Sequence, residues 1–397
     1  MEKPKNNLTQ INNLNLKEKI NSLTKYIGQV MLLNAWHSKD LGLLQGNMGS
    51  AVYLYNLYKF EENVYFHNFA NELITKINDK IGLTDSFYVS GSTGIAWGIS
   101  YLCKNEFIES DEVEDLLNNF DDFCLTKTTD YHLNIDFYGI CSYLLSRVNE
   151  KKKIGNNNFR LLLIQERVVA QLDLMTNPIF SDNYLSNEIL NHIANNKLNS
   201  QYLTTEINKI CNSVIILNRA QAANIYIEVV NRAGKILHQK ISNYLDVLSE
   251  IFLKTQNNES SYLYFRVICR LYYSQLVLVC PLKAKKKFDF ESFFQLKSKQ
   301  FMVPDAASLA TYEEIQFYTT LFRLNKMQKN SDFNQFVHQQ MASLVDHLYD
   351  KHQLEKMIYP NKFPLNLGLS GVAGLGMILL HYLMPEIADW DESLLIS

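Results

Sequence analysis

Charge of one sign is missing from this sequence. Its 38 Lys and Arg stand against 41 Asp and Glu, a net charge of −3 over 397 residues, and neither half is acidic or basic. That balance excludes nucleic acid as the main partner, because phosphate binding needs concentrated Lys and Arg. Paired cysteines are missing as well. The six cysteines (103, 124, 141, 211, 269 and 280) stand singly, none in a Cys-x-x-Cys. Most fall inside apolar helical patterns, so they read as reduced, buried thiols. No run alternates apolar and polar residues at the strand period, so few strands are expected. The opening MEKPKNNLTQINNLNLKEK has no apolar signal core; export is not expected, and a cytoplasmic location is. Glycine is scarce in the middle of the chain: of 15, only Gly155 and Gly234 fall between residues 140 and 367.

The chain is 47% hydrophobic and 20% charged, the composition of a globular protein with a large core. Its glycines gather in a repeat. Leu43–Tyr58 reads LLQGNMGSAVYLYNLY, Tyr88–Lys104 reads YVSGSTGIAWGISYLCK and Gly368–Tyr382 reads GLSGVAGLGMILLHY. Each holds a Gly-x-x-Gly (Gly46/Gly49, Gly91/Gly94, Gly371/Gly374) followed by an apolar and aromatic run. A fainter copy, DFYGICSYLL, puts Gly139 in the second place, so Gly49, Gly94 and Gly139 recur every 45 residues. A fixed period of that size marks a repeat architecture. Without a preceding strand or a following Lys-Ser/Thr, Gly-x-x-Gly carries little weight as a phosphate loop.

Between the glycine helices the pattern changes. Phe69, Leu73, Ile77 and Ile81 recur at steps of four, and Val113, Leu116, Leu117, Phe120 and Phe123 form one apolar face. The order is a one-sided helix, then a helix apolar almost all round, again and again. A helix apolar on all sides must be covered on all sides, and such pairs close most simply into a double ring of buried inner and amphipathic outer helices. The uncharged stretch Leu367–Met384 is long enough to be mistaken for a membrane helix. Its four glycines and its match to the other copies make it a buried inner helix, so no transmembrane span is expected. Residues 1–15 read as a polar N-terminal segment, with a helix beginning at Leu16, and residues 16–397 as a single domain. The polar RVNEKKKIGNNN is a connection within it. Further helices are expected over Phe159–Leu174, Glu188–Asn195, Tyr202–Asn218, Ala220–Arg232, Ile241–Leu253, Ser260–Val279, Phe290–Gln300, Glu313–Met327 and Phe333–Lys351.

The glycine repeats, their period, the length and the alternation resemble the lanthionine synthetase C-like (LanC-like) family. The resemblance is strong at Leu43–Tyr58, Tyr88–Lys104, Asp136–Leu145 and Gly368–Tyr382, and weak from about 155 to 360. It implies an all-α fold, an α/α toroid of about seven inner and seven outer helices. It also implies a role in maturing lanthipeptides, in which zinc activates a cysteine thiol for addition to a dehydrated Ser or Thr. The partners it implies are a precursor peptide and a dehydratase-type modifying enzyme. The family's zinc ligands lie in Trp-Cys-x-Gly-x-Pro-Gly and Cys-His-Gly motifs, and its proton-handling histidine in Gly-x-x-His-Gly. Set in register, this sequence has Asn208 at that histidine, Leu263 at the first cysteine and Phe265 at its glycine. Tyr312 and Glu313 fall at the Cys-His pair and Glu314 at the last glycine. The resemblance therefore implies a degenerate, zinc-free member with no metal site and no catalytic set, a pseudoenzyme.

Other residues keep alternatives open. Tyr88, Tyr262, Tyr264 and Tyr312 near inner-helix starts would give an aromatic ring mouth suited to a peptide, and Glu313 and Glu314 would bind its cationic residues. Asp121, Asp122 and Asp136 are the carboxylates a toroid hydrolase would use, although Asp121 and Asp122 fall on an outer helix and read as a solvated face. His338 and His347 are nine residues apart on one helix, too far to chelate; His381 reads as a core histidine. The basic run Lys283–Lys287 reads as a solvated loop. Three readings result: a binding or docking component, a cyclase working without its usual zinc or with borrowed ligands, and a toroid hydrolase.

Overall fold

A computed structural model describes residues 6–80, 85, 87–109, 113–126, 134–153, 159–180, 200–255, 258–278, 288–297, 311–328, 330–349, 366–387 and 389–395. The fold is all-α, with no strand among the described residues. In chain order the helices are α1 (Asn6–Asn34), α2 (Asn47–Glu61), α3 (Val64–Lys80), α4 (Ser92–Lys104), α5 (Val113–Thr126), α6 (Ile135–Lys153) and α7 (Phe159–Phe180). They continue as α8 (Ser200–Ala222), α9 (Ile227–Lys254), α10 (Asn258–Val277), α11 (Phe290–Lys297), α12 (Tyr312–Gln328), α13 (Ser331–Tyr349) and α14 (Val372–Leu383). Two 3-10 turns cover Ala35–His37 and Trp390–Leu394. Among the described residues no helix is long and apolar enough to cross a membrane.

The chain divides into two compact units. The first is Met1–Val113, Val303–Thr319 and Gln328–Leu394; the second is Glu114–Met302, Thr320–Met327 and Leu395–Ser397. In the first unit, every residue from Asn47 to Leu57 of α2 is buried, because α1, α3, α4 and α14 all pack against it. Ser92–Ile99 of α4 and Val372–Leu380 of α14 are likewise buried without a break. By contrast α3 buries one stripe, Phe66, Ala70, Leu73 and Ile77, at the spacing of one helix face. The second unit repeats the alternation. Phe137–Leu145 of α6 and Ile210–Leu217 of α8 are buried on all sides. Helix α9 buries the stripe Val230, Ala233, Leu237, Ile241, Leu245, Leu248 and Phe252.

Three boundaries differ from the sequence pattern. Helix α1 starts at Asn6 rather than Leu16, since Leu8, Ile11 and Leu14 already recur every third residue. Helix α9 is one piece across the two segments expected at Ala220–Arg232 and Ile241–Leu253. The break falls before it, where Asn224 and Tyr226 take φ of 53°, and Gly234 sits buried inside the helix. The expected helix Glu188–Asn195 and the run Lys283–Lys287 lie outside the described residues.

The glycine pairs have one steric cause, repeated. In each first-unit copy the loop before the helix folds back over its first turn. Asn47 N–H donates to the Asp40 carbonyl (3.0 Å), Ser92 N–H to that of Asp85 (2.8 Å) and Val372 N–H to that of Asn366 (3.0 Å). These bonds satisfy helix-start donors that have no partner within the helix. They also bring carbonyl oxygens against the helix. A Cβ on Gly46, Gly91 or Gly371 would lie 2.3, 2.2 or 2.2 Å from the Asp40, Asp85 or Asn366 oxygen. On Gly49, Gly94 or Gly374 it would lie 2.2, 2.0 or 2.0 Å from the Leu43, Tyr88 or Leu369 oxygen. The loops also bond to one another. Leu44 N–H donates to Val89 O (3.0 Å), Leu369 N–H to Leu43 O (3.1 Å) and Ser370 N–H to Leu44 O (2.8 Å). Gly139 differs: it lies inside α6, behind an ordinary helix start at which Asn134 Oδ1 accepts from Phe137 N–H at 3.0 Å. Replacing Gly94 by Ala is expected to cost about 3 kcal/mol, because the obstructing atom is backbone. Gly98→Ala, which meets the flexible Met48 side chain, is expected to cost less than half of that; urea unfolding of the two variants measures both.

Candidate functional site

Helix α12 is buried from Glu314 to Leu321, as α2, α4 and α14 are over their runs, but is not apolar. Glu314, Gln316 and Thr319 are at most 2% exposed. Buried polar groups are costly unless bonded, so their partners locate the most unusual chemistry of the first unit. Tyr312 and Gln316, one turn apart on α12, both point to the Trp390–Leu394 turn. The Tyr312 hydroxyl donates to Leu394 O at 3.0 Å, and Gln316 Nε2 donates to the same oxygen at 2.7 Å. From the loop before α4, the Tyr88 hydroxyl donates to the preceding carbonyl, Ser393 O, at 2.9 Å. Three side chains from two places thus read two consecutive carbonyls. At the other end of α4, Lys104 pairs with Asp389 (2.8 Å). Burial raises the Tyr101 hydroxyl pKa, against a lowering bond to Asn56, and the Asp391 and Asp389 carboxylates raise it further. Trp390, Asp391, Ser393 and Leu394 are wholly buried.

The expected ring-mouth residues divide accordingly. Tyr88 and Tyr312 come together on this turn. Tyr88 is wholly buried rather than exposed at a mouth, because its hydroxyl serves the Ser393 carbonyl. Glu313 is half-buried and Glu314 buried. The Glu314 carboxylate lies near enough to Tyr318 to add to the effect of burial, which raises that hydroxyl well above its usual pKa. Tyr262 and Tyr264 belong to the second unit. Tyr262 is buried beneath the Arg266 guanidinium (6.0 Å), and burial raises the pKa of the half-buried Tyr264. Gln316, Tyr101, Lys104 and the Trp390 turn carry no local motif; only the contacts across the fold single them out.

In the second unit, positions matched to the family's chemistry have other tasks. Asn208 Oδ1 accepts from Arg270 Nη1, while Arg270 Nη2 donates to Asn212 (3.2 Å). Phe265 packs 6.3 Å from both Phe252 and Phe293. Burial pushes the Cys141 thiol up to about 12 and that of Cys269 well above its usual value; it raises Cys211 as well, against the nearby Arg270. Burial thus disfavours the thiolate, the nucleophilic form, at all three; Cys280 lies outside the described residues. The residues matched to the three ligands are Leu263, Tyr312 and Glu313, and a leucine, a phenol and one carboxylate do not make a zinc donor set. Among the described residues no group of three His, Cys, Asp or Glu could hold a metal.

Asp121 corrects one expectation. It is wholly buried, not solvated. Arg147, 1% exposed, reaches it through Nε at 3.2 Å and Nη2 at 3.3 Å, and the Tyr143 hydroxyl donates to it at 3.0 Å. Glu114 accepts from the same Nη2 at 2.9 Å, and Glu150 accepts from Nη1 at 3.0 Å. The partner sits 26 residues on, across α5 and α6, out of reach of a helical-face reading. Asp122, next to it, is exposed. A hydrolase's paired carboxylates therefore lose Asp121 to an ion pair.

Among the histidines, half-buried His338 on α13 has Nδ1 2.5 Å from the Tyr382 hydroxyl of α14. Burial and then the Lys17 ammonium of α1 lower its pKa. Compared with known families and with curated proteins, the chain finds no counterpart: no family model matches it, and no curated protein does.

Two outcomes are expected. Asp121→Asn leaves a buried guanidinium under-compensated and should cost about 3 kcal/mol of unfolding free energy, whereas Asp122→Asn should stay within about 0.5 kcal/mol. His338 favours its neutral form in the fold, so its contribution is intact above the unfolded pKa of about 6.5 and drains as pH falls toward the lower folded value. Chemical denaturation from pH 7.5 to 5 should show a steeper loss in the parent chain than in His338→Gln, with Lys17 and Tyr382 unchanged in both.

Proposed function

We propose that this chain is a LanC-like α/α toroid acting in the cytoplasm in lanthipeptide maturation, as a zinc-free pseudoenzyme that binds a precursor peptide or docks a dehydratase-type modifying enzyme. The alternation carries the reading: α2, α4, α6, α8, α12 and α14 hold runs buried around their circumference, and odd-numbered helices such as α3 and α9 bury one stripe. Such a series is what a double ring requires. The three matching loop-over-helix junctions support a repeat ancestry for the inner helices. The non-catalytic part rests on the tasks of the matched residues. Asn208 serves Arg270, Phe265 fills an aromatic cluster and Tyr312 holds a carbonyl. Function follows the site rather than the fold, and these groups supply neither a metal-bound thiolate nor a proton carrier.

The test pairs elemental analysis with a peptide assay. The purified chain, with zinc added and then dialysed, should hold zinc well below one equivalent. A peptide carrying dehydroalanine and cysteine should keep its free thiol in the chain's presence, while a tagged chain retains a precursor peptide or a dehydratase-type partner. One tightly held zinc per chain, or loss of the thiol at unchanged mass, would return the cyclase reading to first place.

A further inference from the structure

The Trp390–Leu394 turn is held as a peptide ligand is held. Its grip comes from elements distant in sequence. Lys104 pairs with Asp389 at one end of α4, and the Tyr88 hydroxyl before the other end takes Ser393 O at 2.9 Å. The turn therefore runs antiparallel to α4, with Tyr312 and Gln316 of α12 on Leu394 O at 3.0 and 2.7 Å. Side-chain donors aimed at main-chain carbonyls read a backbone and fix its register, whatever side chains it bears. Two features mark the occupant as an imperfect fit. Asp389 and Leu395 flank it at φ of 58° and 55°, left-handed conformations that cost a residue with a side chain on the order of 1 kcal/mol each. The Trp390 indole N–H, although wholly buried, has no hydrogen-bond acceptor among the described residues.

We infer that the groove between α4 and α12 is a peptide-binding site, closed in cis by the chain's own Trp390–Leu394 segment and opened when a peptide of the same chemistry displaces it. That chemistry is an aromatic anchor, a carboxylate facing Lys104, and two consecutive carbonyls offered to Tyr88, Tyr312 and Gln316. The inference rests on the peptide-binding reading above but needs no lanthipeptide to test it.

The probe is a fluorescein-labelled peptide of residues 389–397. A protease site is built into the Pro385–Ile387 turn, the chain is cut, and circular dichroism checks that it stays helical. Fluorescence anisotropy should then show saturable uptake of the probe by the cut chain and none by the uncut one. Tyr88→Phe with Tyr312→Phe should weaken uptake about tenfold or more, since each lost bond is worth on the order of 1 kcal/mol. A cut chain that unfolds, or that keeps its own segment and never takes the probe, overturns the inference. So does uptake that ignores both substitutions. Hydrogen exchange of the intact, unsubstituted chain provides a second reading. The 389–394 segment should exchange well ahead of α4 and α12; exchange only together with them makes the segment plain core and sinks the idea. Failure here with precursor binding intact would leave the peptide-binding function standing at another place. Success here with no precursor bound would overturn the lanthipeptide assignment alone.

Discussion

The first unit depends on carbonyl oxygens laid over the first turns of glycine-started helices. A helix start leaves N–H groups without intrahelical partners, and here a loop carbonyl answers in each of α2, α4 and α14, at 2.8–3.0 Å. That closeness forbids a Cβ at two places per helix, at 2.0–2.3 Å from an oxygen. The glycines are therefore needed for clearance rather than for their backbone angles, which at Gly46 and Gly91 are extended. Clearance at the helix start lets the loops meet. The Leu43–Leu44 pair bonds to Val89 on one side and to Leu369 and Ser370 on the other. Three segments distant in the chain are thereby tied at backbone level, and α2 receives α4 and α14 as walls. Its unbroken buried run follows from that arrangement, since an apolar circumference is stable only with neighbours on every side.

Once the helix starts are tied together, polar groups inside the unit must find partners there or be left unbonded. Helix α12 shows how this is met. Tyr312 and Gln316 spend their donors on one carbonyl, and Tyr88 spends its own on the next. In the second unit an ion pair plays the corresponding part. Arg147 could not be buried without Asp121, and Asp121 could not be buried without Arg147 and Tyr143. Such networks are poor contributors to net stability, because desolvation offsets most of the attraction. Their effect is on geometry: a one-residue slip of α6 against α5 would strand a charge, so the register between those two helices is strongly specified.

These facts explain what could be read from the chain beforehand. Gly46, Gly91 and Gly371 announced buried helices because a steric demand on backbone leaves a mark in the sequence at the residue concerned. A second mark was present as well: Asp40, Asp85 and Asn366 stand five or six residues before the first glycine in each copy, where their carbonyls are needed. It was hidden because the last loop is one residue shorter. Side-chain partnerships leave no such mark. Asp121 looked like part of a solvated Asp-Asp pair because its guanidinium lies 26 residues on. Tyr88 looked like a mouth residue because its acceptor lies 305 residues on. The unbroken α9 was missed because a lone glycine is a weak signal that packing overrides, and the start of α1 because its Asn-rich text drew attention from the spacing of Leu8, Ile11 and Leu14.

Taken with the proposed reading, the second unit suggests how such a fold changes its work. Metal chemistry asks for deprotonated ligands held open to a substrate. The position matched to the proton-handling histidine holds Asn208, bonded to Arg270, a position matched to a glycine holds Phe265, packed against Phe252 and Phe293, and burial raises the pKa of the Cys141, Cys211 and Cys269 thiols. Each of these side chains is packed or hydrogen-bonded where it stands. The unit keeps the alternation of covered and one-sided helices while its interior becomes chemically quiet. In the first unit the Trp390 turn is seated by three side-chain donors, two from α12 and one from the loop before α4. On the proposed reading, binding specificity resides in these carbonyl-reading side chains rather than in a reactive group.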